Sequence, residues 1–258
     1  MLFGTKIDAG RVFGVPVRID LSLLLVAGMF VLSYSRALPG RPGVSLVAGL
    51  LGAAALAAAL LAHEVGHAIA AQAHGCRVHE ITLMFFGGKA TMSGLPSAPL
   101  RRAAISIAGP AAGLLLWLAA AGAATLAADA GLSWLSFTLA ETARMSRFLS
   151  LFNMIPALPL DGGHVLRDVI AHFRGRALAS YATARLSKWI AWAMGLYGLL
   201  GWDFLLVFLA FYVWRAACDE LALAASGGDD PDGLDDDVVV ISPPPFGKER
   251  EYTRIRRR

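Results

Sequence analysis

The sequence predicts an all-α polytopic membrane protein of about six transmembrane helices, with a small membrane-associated β-hairpin or sheet. Three observations carry that expectation. Of the 258 residues, 57% are hydrophobic and only 16% charged, where ordinary soluble domains carry about 25% charged residues. Long apolar runs recur, and residues 44–73 form one of 30 residues, about 45 Å as a helix against a hydrocarbon core of roughly 30 Å. The basic residues, finally, fall almost entirely on one side of the spans those runs define.

In chain order, residues 1–18 show no signal-peptide pattern. Val12-Phe13-Gly14-Val15-Pro16-Val17-Arg18 alternates loosely and reads as short strands around a Gly-Pro turn. A first, short span covers residues 21–34, and 36–43 is a Pro/Gly turn. The second span is the long run 44–73. Residues 78–86 are β-rich, followed by Gly87-Gly88 and Lys89-Ala90-Thr91-Met92-Ser93, which reads as a hairpin turning at the two glycines. A third, uncharged span covers 103–128 and contains Gly109-Pro110-Ala111-Ala112-Gly113, small residues that permit close helix contact.

A fourth span is expected over 145–158, ending where Pro156 and Pro159 break the helix. Residues 164–188 read as a basic loop with an amphipathic lead-in. The region 189–214 is either one helix or two turning at Gly201-Trp202-Asp203. Residues 221–258, with an acidic stretch, three prolines and a basic end, read as a disordered cytoplasmic tail. The domains are therefore 1–18 (short strands), 19–220 (transmembrane core) and 221–258 (tail).

Charge settles the number of spans. With six, 19 of the 23 Lys and Arg residues share one side, leaving Arg36, Arg41, Arg144 and Arg147 on the other. The positive-inside rule then puts both termini in the cytoplasm of a multi-pass cell-membrane protein. Five spans would put the basic tail outside. The net charge of +4 is modest, with six basic residues in the last eleven positions, so the partner expected is the lipid bilayer rather than nucleic acid. Cys76 and Cys218 match no metal spacing and read as free thiols.

Chemistry enters at Leu61-Ala62-His63-Glu64-Val65-Gly66-His67. Four residues of helix are about 400° of rotation, so His63 and His67 share one face. Glu64 reaches a water held by both imidazoles without being a ligand itself. This is the H-E-x-x-H arrangement of zinc hydrolases, with the glutamate as general base. Ionisable groups beside apolar sequence are costly in a membrane, and a metal gives them a partner. The second cluster is Asn153-Met154-Ile155-Pro156-Ala157-Leu158-Pro159-Leu160-Asp161-Gly162-Gly163-His164. Alone, Asp-Gly-Gly more often marks a turn, but irregular backbone after an apolar run is tolerated in lipid only where it is buried or lines a cavity. The six-span reading puts His67 and Asp161 at helix ends on the same side.

Together these motifs resemble the site-2 protease family of intramembrane zinc metalloproteases, over roughly residues 10–220. The similarity is closest to the six-span bacterial and archaeal branch related to the sporulation factor protease. The resemblance implies one Zn²⁺ per chain held by His63, His67 and Asp161, Glu64 as catalytic base, and Asn153 orienting the scissile peptide or binding its oxyanion. It implies that the 78–93 hairpin pairs with an unwound substrate strand, and that the substrate is a single-pass membrane protein, such as an anti-sigma factor or a pro-protein. Gly109-Pro110 fits a recurrent feature of the family's third core helix. Asp20 stands where many relatives have histidine, so no role is carried over to it, and His164 is kept out of the metal shell. A homo-oligomer is compatible with this reading. The rival is a non-proteolytic zinc-binding membrane protein or small transporter, which needs the same ligands but has no use for Glu64.

Overall fold

The computed structural model describes residues 5–84, 87–225 and 239–240. In order they form β1 (Lys6–Val12), β2 (Val15–Asp20), α1 (Leu23–Ala37), α2 (Pro42–Ala73), β3 (Arg77–Met84), β4 (Gly87–Ser93), α3 (Pro99–Asp129), α4 (Ser133–Asn153), α5 (Asp161–Arg174), α6 (Arg176–Leu200), α7 (Phe204–Ala225) and β5 (Val239–Val240). The protein is mostly helical with a small mixed sheet, of strand order β1-β2-β3-β4-β5, which takes in both the expected N-terminal strands and the strands of the 78–93 segment. The chain divides into two compact units. One comprises Met1–Ala70, His79–Ala90 and Ile107–Met154, the other Ala71–Val78, Thr91–Ser106 and Ile155–Arg258.

In the first unit, β1 and β2 pair antiparallel. Phe13 and Gly14, both at positive φ (49° and 79°), make the turn, as a two-residue primed hairpin requires. The expected Gly-Pro turn thus keeps Gly14 but not Pro16, which lies inside β2 opposite Arg11. β3 joins β2 in parallel, Val17 beside Ile81 and Ile19 beside Leu83. Val15, Val17, Ile81 and Leu83 are buried. Glu80 takes an ion pair from Lys6 Nζ at 2.6 Å and another from Arg18 Nη1 at 2.8 Å. Burial alone would raise the Glu80 carboxyl, but Lys6, Arg18 and the Thr82 hydroxyl outweigh it and hold its pKa below the ordinary value.

Helices in this unit approach through glycine. A Cβ on Gly49 would lie 2.5 Å from the Val31 backbone, and one on Gly66 would lie 2.4 Å from the Ala108 carbonyl oxygen. α2 therefore packs on α1 and on α3 with almost no side chain between the backbones, as small-residue interfaces allow. α4 starts at Ser133 and stops at Asn153, not over 145–158. Its polar residues interrupt the apolar run without interrupting the helix. Thr142, Ser146 and Ser150, four apart, are buried on one face, Arg144 pairs with Glu141, and Arg147 lies over the Trp117 ring at 5.8 Å.

In the second unit the expected loop over 164–188 is helical. α5 runs to Arg174, Gly175 takes φ 83°, and α6 starts at once. α6 and α7 are separate helices. Trp202 adopts φ 55°, and Asp203 Oδ1 accepts the Leu206 N–H at 3.0 Å. One core cluster among the described residues is Ala157, Ala191 and Val213, with Ile155 and Ile190 against it. α6 is inside out for a water-soluble protein. It buries Ala179, Ser180, Thr183, Ala184, Ser187, Ala191 and Gly198 while Trp189, Trp192, Leu196, Tyr197 and Leu200 are each more than half exposed.

Gly87 and Gly88 belong to β4 rather than to the turn between the strands; Phe85 and Phe86 lie outside the described residues. At its other end β4 pairs antiparallel with β5, Thr91 beside Val240 and Met92 beside Val239. Those two residues and the end of α7 are the described parts of the tail, and its other residues lie outside the description. Cys76 and Cys218 are free thiols. Two helices, Pro42–Ala73 and Pro99–Asp129, are long and apolar enough to cross a membrane, and Leu23–Ala37 is a shorter apolar one.

Candidate metal centre

His63, Glu64 and His67 lie two-thirds of the way along α2, and all three are buried, at 4%, 3% and 2% exposure. The helical spacing stacks the two imidazoles, with ring centroids 4.9 Å apart and planes at 82°. Their Nε2 atoms are 3.3 Å apart. Two nitrogens each about 2.05 Å from a tetrahedral centre are separated by about 3.3 Å, so the pair is spaced for one zinc-like ion.

Two glycines that the motif does not include form the cradle. A Cβ on Gly109 of α3 would lie 2.2 Å from His67 Nε2 and 2.5 Å from its Cε1. Only a residue without a side chain lets α3 pass so close to the metal-facing edge of that ring. A Cβ on Gly88 of β4 would lie 2.3 Å from Glu64 Cγ and 2.5 Å from Oε1. The strand backbone thus lies flat against the carboxylate. Sequence reading assigned Gly109 to helix packing and Gly88 to a turn; the signal for either role is a contact distant in sequence, which no local pattern reveals.

Asn153 ends α4, is half-buried, and donates from Nδ2 to the Leu149 carbonyl at 3.0 Å. That bond ties the amide to its own helix and fixes where its remaining polar atoms lie.

Asp161 is the first residue of α5, not a turn residue, and is 4% exposed. Its position at the positive end of a helix dipole favours a carboxylate. The segment before it is pinned: the Leu158 N–H donates to Ser187 Oγ at 2.8 Å, and Ser187 in turn donates to the Thr183 carbonyl at 2.8 Å. A Cβ on Gly163 would meet the Ala157 carbonyl carbon at 2.4 Å, so the second glycine lets the loop fold back on the first turn of α5. Asp20 is also buried, and its Oδ1 accepts the Ser22 N–H at 2.8 Å, holding the entry to α1.

Comparison with known proteins places these features in context. The profile of peptidase family M50 matches residues 51–140 and 125–194, together more than half of the chain. A Synechocystis protein named as a candidate zinc metalloprotease is 34% identical over 204 residues, covering 76% of this chain and 53% of its own length. Rip3 of Mycobacterium tuberculosis, similarly named, is 32% identical over 235 residues, covering 83% and 58%. The chain thus spans about half the length of the curated relatives it matches. Among solved structures, the site-2 protease from Methanocaldococcus jannaschii aligns with a TM-score of 0.58 at 24% identity, over 84% of this chain and 95% of that one. The likeness shows a shared fold.

Proposed function

The chain belongs to peptidase family M50, and on that premise we propose that it is an intramembrane zinc metalloprotease, hydrolysing a peptide bond in or near the transmembrane segment of a membrane-anchored regulatory protein. One observation carries the reading. On α2 the buried His63 and His67 hold their Nε2 atoms 3.3 Å apart, the spacing of two ligands on one zinc-like ion, with Glu64 next to the first, and we take the buried Asp161 as the third ligand. Two imidazoles and a carboxylate are the donor set of a hydrolytic zinc site that keeps its fourth position open.

When bound, zinc supplies Lewis acidity, lowering a water's pKa toward about 7 and polarising the scissile carbonyl. The protein's residues do the rest. The Glu64 carboxylate takes the water's proton and delivers it to the leaving amine nitrogen. Gly88 lets the β4 backbone press on Glu64 and hold it to one orientation. Asn153, tied to its helix by Leu149, orients the scissile peptide. A substrate helix hides its peptide bonds in hydrogen bonds, so it must unwind locally, and the sheet offers the extended partner that such a strand can pair with.

We further assign α1, α2, α3, α4, α6 and α7 to six membrane spans, with α5 amphipathic at the surface and both termini cytoplasmic. The support is the inverted pattern of α6, since large apolar side chains turned outward over small and polar ones suit lipid and are costly in water, together with the one-sided basic residues.

The test compares wild type with Glu64→Gln, measuring bound zinc and cleavage of a model transmembrane substrate. About one zinc per chain in both, with cleavage lost only in the variant, is the expected result. Wild-type cleavage by Glu64→Gln removes the base assignment. Zinc without cleavage in either protein favours the non-proteolytic reading.

A further inference from the structure

In the second unit, where the end of α5, the first turn of α6 and the last turns of α7 meet, lies a cavity of about 230 Å³. Its polar lining is Arg102, Arg167, Arg176, Asp168, Ser180 and Glu220. Arg102 Nη2 is 3.1 Å from the buried Asp168 carboxylate, and Arg167 Nη1 is 3.3 Å from Glu220. Glu220 also accepts from Ser180 Oγ at 2.7 Å. Arg176 enters no ion pair among the described residues. Arg102 Nε is buried, with no hydrogen-bond partner among them. Three guanidinium groups against two carboxylates leave one positive charge uncompensated, and an unused N–H, beside a cavity that is partly open to solvent.

We propose that this cavity is a binding site for the phosphate group of an anionic ligand. Guanidinium groups present forked N–H donors that match phosphate oxygens. Partial burial keeps the surplus charge from being screened as it would be in solution. The volume lies below the roughly 300–1,000 Å³ of pockets for drug-sized ligands, which selects a single phosphate or a small headgroup over a nucleotide. A phosphodiester lipid headgroup and a free phosphate compound share that chemistry. None of its lining residues is a candidate zinc ligand, and the proposal does not depend on the protease assignment.

The full chain, reconstituted in phosphatidylcholine nanodiscs, is titrated with inorganic phosphate at constant ionic strength while its Tm is followed. In parallel, Tm is measured as phosphatidylglycerol replaces phosphatidylcholine. A saturable rise in Tm in either arm is expected. Arg176→Gln, which breaks no ion pair, should weaken the apparent affinity roughly tenfold, and Arg185→Gln, an exposed arginine on the same helix, should leave it unchanged. A response to inorganic phosphate identifies a soluble ligand, and a response to phosphatidylglycerol alone identifies a lipid. No saturable response in either arm, or equal affinity in wild type and Arg176→Gln, overturns the proposal.

Discussion

Replacing Gly109 by alanine isolates what the close approach of α3 to α2 does for the site. The new Cβ would start 2.2 Å from His67 Nε2, and ordinary van der Waals contact begins near 3.4 Å, so ring and helix must separate by about 1.2 Å. Both obstacles are stiff, because Gly66 already holds α2 against the α3 backbone. A ligand displaced by that much no longer matches the 3.3 Å spacing of the two Nε2 atoms. Displacements of about 1 Å cost on the order of 10²-fold in activity, and losses in ligand support cost about 10–100-fold in metal affinity. Zinc competition against a chelator, with cleavage of a transmembrane substrate in excess zinc, reads both effects. Gly122→Ala is the control, on the same helix with nothing within 4 Å of the added Cβ, and should stabilise by roughly 0.5–1 kcal/mol from helix propensity. If Gly109→Ala behaves like this control, with unchanged zinc affinity and cleavage, the account of the cradle is wrong.

Gly88→Ala should separate base from ligands: its Cβ meets Glu64 and not the histidines, so cleavage should fall at least about tenfold while zinc content stays at the wild-type level. Equal loss of zinc would contradict it. Ser187→Ala leaves the buried Leu158 N–H without its acceptor and should cost about 1–3 kcal/mol in denaturant unfolding; a change within about 0.5 kcal/mol would show that the loop before Asp161 is held some other way. Glu80 governs a pH effect. Its folded pKa is depressed from 4.5, so the stability it contributes is present above that value and lost as pH falls through the lower folded pKa. Its partners are partly exposed, which limits the contribution to roughly 0.5–1 kcal/mol. Wild type and Glu80→Gln should therefore differ by that amount at neutral pH and converge as pH falls through the depressed folded pKa; a gap constant with pH would refute the ion-pair origin.

What could be read from the sequence follows the range of the interactions. The two histidines and Glu64 were legible because helical spacing is local and repeats every turn. The separation of α6 from α7 was foreseen as one of two options because Gly201-Trp202-Asp203 is local turn chemistry. The start of α4 is hidden in the sequence because Glu141, Arg144 and Arg147 depress hydropathy, yet each is satisfied by a neighbour, at Arg144, Glu141 and Trp117 respectively. α5 reads only as a loop with an amphipathic lead-in, because its apolar residues make a stripe rather than a run. Gly88 was placed in a turn because Gly-Gly at the end of a β-rich segment usually is one, and the carboxylate that explains it lies 24 positions earlier in the chain.

β4 has a consequence for how any extended segment could be read out along it. Gly88 faces the Glu64 carboxylate, and three and four residues on, Thr91 and Met92 are already paired with Val240 and Val239. At about 3.3 Å per residue, some 10 Å of strand separates the two places. An incoming strand that extends along β4 beyond that distance on the same edge meets the positions β5 already fills. The length of the occupied edge therefore acts as a stop, counting residues from the carboxylate to the point where the chain's own tail begins.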